Sequence, residues 1–232
     1  MILERVQNLL QALDDQGQAD HDDEWPDLVG EQMQSLEAAY KQLIDPQRTP
    51  IDYSELSTQA AYVFRYVLAR AEFTYEILKR ARAAAESPLF SRSQLWVTSI
   101  GGGPGSELLG LLKYLSEEPS EPDIREIVYT IIDKENNWEH VVDHLLQQIT
   151  DIKIDFFFFP FDVSVAGRPE NTSLHREDLV IMSFFVSEVC ALPERDVVRS
   201  NVEGLLETMP AGSLLLYNDS KAKSFIDFIK VG

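Results

Sequence analysis

The chain has 232 residues, 44% hydrophobic and 25% charged, with a formal net charge of −19 and a single cysteine. That size suits one globular domain, or one domain with a helical extension. The charge argues against general affinity for nucleic-acid phosphates and favours a basic protein partner or a neutral or cationic small molecule. No apolar run is long enough to cross a bilayer, so no membrane partner is expected. Lone Cys190 leaves no internal disulfide, and the amphipathic N-terminus lacks the basic start of a signal peptide; both fit an intracellular setting, cytoplasmic or nuclear.

The first element is a helix: Ile2, Leu3, Val6, Leu9, Leu10 and Leu13 recur at helical spacing. "DDQGQADHDDEWPD" (14–27) then breaks the pattern and reads as a solvated acidic linker. A second helix is predicted after Pro26, with Leu28, Val29, Met33, Leu36, Tyr40 and Leu43 on one face, ending at "DPQRTP". A long third helix follows in "YSELSTQAAYVFRYVLARAEFTYEILKRARAAAE", capped by Ser54 or Ser57 and stopped at Ser87–Pro88. Arg65, Arg70, Lys79, Arg80, Arg82 and Arg92 make this stretch locally basic, so a local basic surface stays open despite the net charge.

From Leu95 the rhythm changes. Apolar runs at 95–100, 126–133, 154–162, 178–185 and 212–219 alternate with helical patterns and with a polar loop over 164–177. Such alternation predicts an α/β fold with a parallel, doubly wound, Rossmann-like sheet behind an N-terminal helical extension. The division expected is 1–90 for the helical region with its acidic linker and 91–232 for the sheet domain. Ligands of such sheets sit at the carboxyl ends of the strands, near the switch in strand order.

The first strand runs into "SIGGGPGSE" (99–107). No lysine follows the glycines, which excludes a P-loop. The dinucleotide pattern G-x-G-x-x-G fails at Ser106, whereas Gly101, Gly103 and Gly105 fit G-x-G-x-G, with Gly102 between them. Glycines let the backbone approach a ligand at positive φ, and the following helix N-terminus offers N–H groups to an anion. Asp133 ends the second strand, where a carboxylate can accept from both ribose hydroxyls, with Lys134 beside it. Asp162 ends the third strand, followed by Val163, and Ser183 lies near the end of the fourth.

The G-x-G-x-G turn with these strand-end acids resembles class I methyltransferases, which bind S-adenosyl-L-methionine. The resemblance implies that cofactor, a ribose contact at Asp133 and an adenine contact at Asp162. One position departs from it: Ser99 stands where the usual acid precedes the first glycine, and Glu107 is the nearest substitute. "VTSIGGGPGSELLGLLKYL", "DLVIMSFFVSEV" and "AAYVFRYVLARAEFTYEIL" look like eukaryotic proteins related to the large-subunit rRNA uridine-N3 methyltransferases, over about residues 53–225. That resemblance implies N-methylation of RNA, with Ser187 and Glu188 on the substrate side and Glu188 as proton acceptor. The aromatic helix also resembles small-amine N-methyltransferases, which implies that Tyr62 and Tyr66 cover the substrate. A third reading is an inactive scaffold acting through its acidic extension.

Other features carry less. Cys190 has no Pro-Cys or Thr-Cys context and reads as a buried apolar residue. "HVVDH" (140–144) has a zinc-like spacing but lies away from the turn, and no metal site is expected. "NTS" at Asn171 matches a glycosylation pattern by chance. A class I sheet continues past its fifth strand to a helix and closing strands. "KAKSFIDFIKVG" supplies the helix only, so the closing strands are expected to be missing or truncated.

Overall fold

In the computed structural model, residues 2–118, 120–167, 173–219 and 227–228 are described. Asn171 and nearly all of "KAKSFIDFIKVG" lie outside them. Five parallel strands form one sheet in the order β3-β2-β1-β4-β5. They are β1 (Gln94–Ile100), β2 (Glu126–Asp133), β3 (Lys153–Pro160), β4 (Leu179–Ser183) and β5 (Leu214–Asn218). The chain steps outward from β1 to β2 to β3, then returns to the other side of β1 for β4 and β5. This reversal puts the switch point between β1 and β4, where two crossovers part and leave a crevice at the carboxyl ends.

The strands are apolar because both faces are covered near the middle. Every residue of β4 is buried, and the core of β2 is nearly so. Tyr75 and Leu78 meet Leu108, Leu111 and Leu112 against one sheet face. The other face takes Val198, Val202 and Leu205. These residues come from helix α4 (Leu68–Ala85), α5 (Ser106–Glu117) and α8 (Arg195–Leu206). The described part of the connection between β3 and β4 has no helix, as the polar sequence predicts, and Phe157 on edge strand β3 stays 49% exposed.

The N-terminal region corrects two expectations. The acidic segment is not a linker. Helix α1 (Ile2–His21) runs through it, a short 3-10 turn (Asp22–Glu24) bends the chain, and α2 (Trp25–Tyr40) begins at once. The reason is Trp25, only 1% exposed, which folds back on α1 and donates from its indole N–H to Asp14 at 2.9 Å. It fits only because residue 17 is glycine; a Cβ there would lie 2.1 Å from the indole. The acids at 15, 20, 22 and 23 are exposed, so they are the wet face of a helix and turn.

The long third helix is also different in detail. It comprises α3 (Leu56–Tyr62), a π turn (Val63–Val67) and α4, and its N-cap is Glu55, without a side-chain capping bond from Ser54 or Ser57. Tyr62 and Arg70 are eight residues apart. Two ordinary turns span about 7.2 residues, and a π turn adds about one more, so the bulge brings both onto one face. Residues on either side of position 90 share core: Ile2, Val6, Leu9 and Leu13 of α1 pack with Trp138, Val141 and Leu145 of α6 (Trp138–Leu146).

Candidate functional site

A cavity lies at the carboxyl ends of β1, β2 and β3, beside the switch point. Its floor is the glycine turn. Gly101 has φ +67° and Gly103 φ +47°, conformations that side chains strain. A Cβ on Gly101 would stand 2.4 Å from the Phe185 ring, and one on Gly103 would face Trp138 at 3.8 Å. Both glycines therefore leave backbone bare to the cavity. Gly105, also at positive φ, is the N-cap of α5 and packs toward Leu145 and Val142; Gly102 packs on Ser99 and Ile131. These two shape the turn from behind and do not line the cavity.

The next wall is carboxylate. Asp133 accepts the Gly103 N–H and the Glu135 N–H, each at 3.0 Å, so it ties the end of β2 to the turn. Each oxygen keeps a further lone pair for a ligand. Burial raises its pKa to about 6, against the lowering effect of the two N–H bonds. Asp162 accepts the Ser164 N–H at 2.8 Å and its hydroxyl at 2.7 Å. Lys134 and Val163 complete this side.

The opposite wall comes from the N-terminal helices and from α7 (Val186–Val189) after β4. Glu188 lies there, its carboxylate accepting Tyr40 Oη at 2.7 Å, with Tyr53 Oη at 3.4 Å and Arg70 Nη2 at 3.9 Å. Tyr40 has one proton and gives it to Glu188. In the 2.9 Å contact between Tyr40 and Tyr53, Tyr53 is therefore the donor. Arg70 donates to Tyr62 and, at 2.9 Å, to Tyr40. Its guanidinium lies over the rings of Tyr40, Tyr62, Tyr66 and Phe184, 4.6 Å from the Phe184 centroid. Arg48 caps the Glu188 carbonyl. Burial raises the pKa of Tyr40, Tyr53 and Tyr62, so these hydroxyls stay protonated donors, not bases. Phe184 holds φ +56°, an uncommon conformation for an aromatic residue, fixed by its N–H bonding Asn218 O at 2.7 Å.

Of the residues singled out in the sequence, Gly101, Gly103, Asp133, Lys134, Asp162, Val163, Tyr62 and Glu188 line this cavity. Others do not. Ser99 is 1% exposed and bonded to Tyr129 at 2.8 Å, a core pair between β1 and β2. Ser183 is buried beside Asn218. Ser187 bonds Asp219 through its N–H and Phe184 O through its hydroxyl. Tyr66 stands one layer back, against Tyr40 and Tyr62. Glu107 is 2% exposed, next to the turn. His140 and His144 lie on α6 outside the cavity, and among the described residues no three metal-ligating side chains converge. Cys190 is buried and its thiol pushed up to about 11, so it is not a nucleophile near neutral pH.

Sequence reasoning missed Tyr40, Arg48, Tyr53, Arg70 and Trp138. Tyr62 and Tyr66, four residues apart, were a usable signal, which Arg70 joins only through the π turn. Tyr40 read as one more apolar-face residue of its helix. Tyr53 and Arg48 sit in the segment between helices, where no periodicity marks them.

The lining carries four carboxylates, Asp133, Asp162, Glu188 and Glu194, against three cations, Arg48, Arg70 and Lys134. A small ligand of net positive charge suits it. S-adenosylmethionine is such a ligand, and the bare turn with the desolvated Asp133 beside it fits an adenosine cofactor.

Comparison with known proteins agrees. Residues 51–209 match the family described as "Putative SAM-dependent methyltransferase". No curated protein matches the sequence. Among solved structures, the chain is similar to the trans-methyltransferase CalH in complex with SAH, at 14% identity and TM-score 0.46, covering 94% of this chain and 56% of that one. CalS10, an amino pentose methyltransferase from Micromonospora echinaspora bound to SAM, is 14% identical with TM-score 0.43, covering 76% and 61%. An O-methyltransferase family protein from Burkholderia thailandensis is 18% identical with TM-score 0.40, covering 82% and 52%. The chain thus spans between about half and three fifths of the length of these proteins.

Proposed function

The chain belongs to the SAM-dependent methyltransferase family, and from that premise we propose that it transfers a methyl group from S-adenosylmethionine to the nitrogen of a small amine, with Glu188 taking the proton. The observation that carries the reading is Glu188, which lines the cavity opposite the glycine turn, its carboxylate held by the Tyr40 hydroxyl with Tyr53 and the Arg70 charge nearby. When bound, S-adenosylmethionine would supply an electrophilic methyl on a sulfonium, its S–CH3 bond breaking to leave the neutral thioether as the acceptor lone pair takes the methyl.

Each chain residue has a separate task. Asp133 accepts the ribose hydroxyls, and Asp162 accepts the adenine amino group. Tyr53, Tyr62 and Trp138 pack together at 5.4 to 5.5 Å between centroids, Tyr53 edge to face on Tyr62 and both tilted against Trp138, and exclude water from the cavity. Glu188 attracts a protonated amine, and accepts the proton that the nitrogen loses. The Tyr40 bond orients its carboxylate so that little reorganisation accompanies the transfer.

RNA is the second acceptor class, favoured by the sequence likeness around Ser187–Glu188. The acid excess of the lining and the net charge of −19 weigh against it, since phosphates must be neutralised to bind. Methyl-labelled S-adenosylmethionine, incubated with the protein and with separate amine, RNA and protein fractions, decides between them. Label is expected in the amine fraction. Glu188→Gln should lower kcat by roughly 100- to 10,000-fold while cofactor affinity stays within about threefold. Label in RNA, with binding that weakens as salt rises, would overturn the amine reading.

A further inference from the structure

Three cations line the cavity, and two of them are answered by carboxylates. Arg70 faces Glu188 at 3.9 Å, and Lys134 favours the charged forms of Asp133 and Asp52. Arg48 is the third. It lies in the segment between α2 and α3, is only partly exposed, and forms no ion pair with a carboxylate among the described residues. The segment is fixed around it: the Arg48 N–H bonds Asp45 O at 3.2 Å, and the Asp45 carboxylate accepts the Gln47 N–H at 2.9 Å. Its side chain donates to the Glu188 carbonyl, and its Nε is buried with no partner among the described residues. A guanidinium has five N–H donors. A buried charged donor left unbonded is costly, and an anion in the cavity would satisfy it.

Glu188 supplies the other half. Its carbonyl is the partner of Arg48, while its carboxylate accepts the Tyr40 hydroxyl. A cation with spare donors and an anion are thus tied to one residue of the cavity wall. They are separated by a single glutamate, from main-chain carbonyl to side-chain carboxylate. That spacing suits a ligand whose ammonium and carboxylate sit on the same carbon. Ile51, Val189 and Leu192 also line the cavity, close in sequence to this pair and partly buried, so the adjoining wall is apolar. A plain amine satisfies Glu188 alone and leaves Arg48 unanswered.

Resting on the amine reading of Glu188, we propose that the methyl acceptor is a free α-amino acid with an apolar side chain. Glu188 receives its ammonium, Arg48 its carboxylate, and Ile51, Val189 and Leu192 its side chain. Glu188 takes one proton from the ammonium, and the nitrogen lone pair so freed takes the methyl as the S–CH3 bond breaks to leave the thioether. The product is an N-methyl ammonium, and the proton on Glu188 returns to solvent. Arg48 touches the acceptor away from the bonds that change, so it acts on binding more than on rate.

The full chain is tested with methyl-labelled S-adenosylmethionine and, in separate reactions, leucine, isoleucine, valine, methionine and phenylalanine, each beside its carboxamide and its decarboxylated amine. Label is expected on the amino acids, with kcat/KM at least roughly 10-fold above the other two forms, the value of one charge-assisted hydrogen bond. Arg48→Gln should raise KM for the amino acid by roughly 10- to 100-fold with kcat within about threefold, and leave KM for the amine within about threefold. Arg48→Lys, which keeps a cation, should recover part of the loss. Calorimetry on the complex with S-adenosylhomocysteine should show the same difference in acceptor affinity without turnover. If Arg48→Gln melts early, because Arg48 also caps Glu188, the wild-type comparison decides by itself. Amines or carboxamides methylated as well as amino acids overturn the assignment and leave the amine reading intact. An Arg48→Gln variant that folds and loses equally on all three forms does the same. Label on RNA alone, or no label on any amino acid, carboxamide or amine, overturns both.

Discussion

The two walls of the cavity are built by different means. The strand-end wall is a backbone device: bare glycine at positive φ, and carboxylates fixed by main-chain N–H groups at 2.8 to 3.0 Å. The helical wall is a side-chain device, in which Tyr40, Tyr53, Tyr62, Arg70 and Glu188 hold one another and almost no main chain is involved. The first wall has little to lose from a distant change and much to lose from an added Cβ. The second is a network, in which each partner depends on the rest. Substitutions in the first should therefore touch binding and spare the fold. Substitutions in the second should touch both.

The largest expected effect breaks the first wall. Gly103 holds φ +47° and faces Trp138 across the cavity. Gly103→Arg puts a strained backbone and a long side chain where the ligand must approach. S-adenosylmethionine affinity should fall at least about 1,000-fold, roughly 4 kcal/mol, as read by calorimetry. The melting temperature should stay within a few degrees, because nothing in the core fills that space. Unaltered affinity would sink the placement of the cofactor on this turn.

The next effect comes from the second wall. Arg70→Met keeps the volume but removes the cation from among three tyrosine rings and Phe184. Tyr40, Tyr62 and Glu188 lose their shared partner, and breaking a buried pair on one side costs about 3 to 5 kcal/mol. Chemical denaturation should show that loss. A variant within about 1 kcal/mol of wild type would mean that the network is less coupled than its bonds suggest.

The contrast also explains what the sequence made legible. The strands, the glycine turn and the strand-end positions of Asp133 and Asp162 were readable because each follows from local pattern: apolar runs and spacing. The helical wall was not, because its lining comes from the segment around residue 50, α3, α4 and α7, is tied together by Tyr40 of α2 behind it, and meets only in the fold. Periodicity marks Tyr62 and Tyr66 as neighbours but not Arg70, which needs the π turn to come into line. Nothing in "VFRYV" announces that turn. The acidic stretch misled for the opposite reason: its composition reads as linker, and only the docking of Trp25 on Gly17 makes it helix. Ser99, at the motif position of the usual acid, serves the core through Tyr129, which the motif spacing does not show.

The smallest effect lies where the walls meet, at Glu107, and depends on pH. Its pKa is raised to about 7 by burial, so the fold favours the protonated acid. The stability tied to that proton is fully present below the ordinary glutamate range and is lost as pH rises through about 7. Above pH 7 the wild-type fold without ligand carries a charge that it would rather not bury. Glu107→Gln removes that charge and keeps the shape. At pH 8 the variant should be more stable than wild type by about 2 kcal/mol, less than the full pKa shift implies because local relaxation dampens it. At pH 3.5, below the ordinary glutamate range, the two should agree within about 0.5 kcal/mol, because Glu107 is then protonated in the folded and the unfolded chain alike.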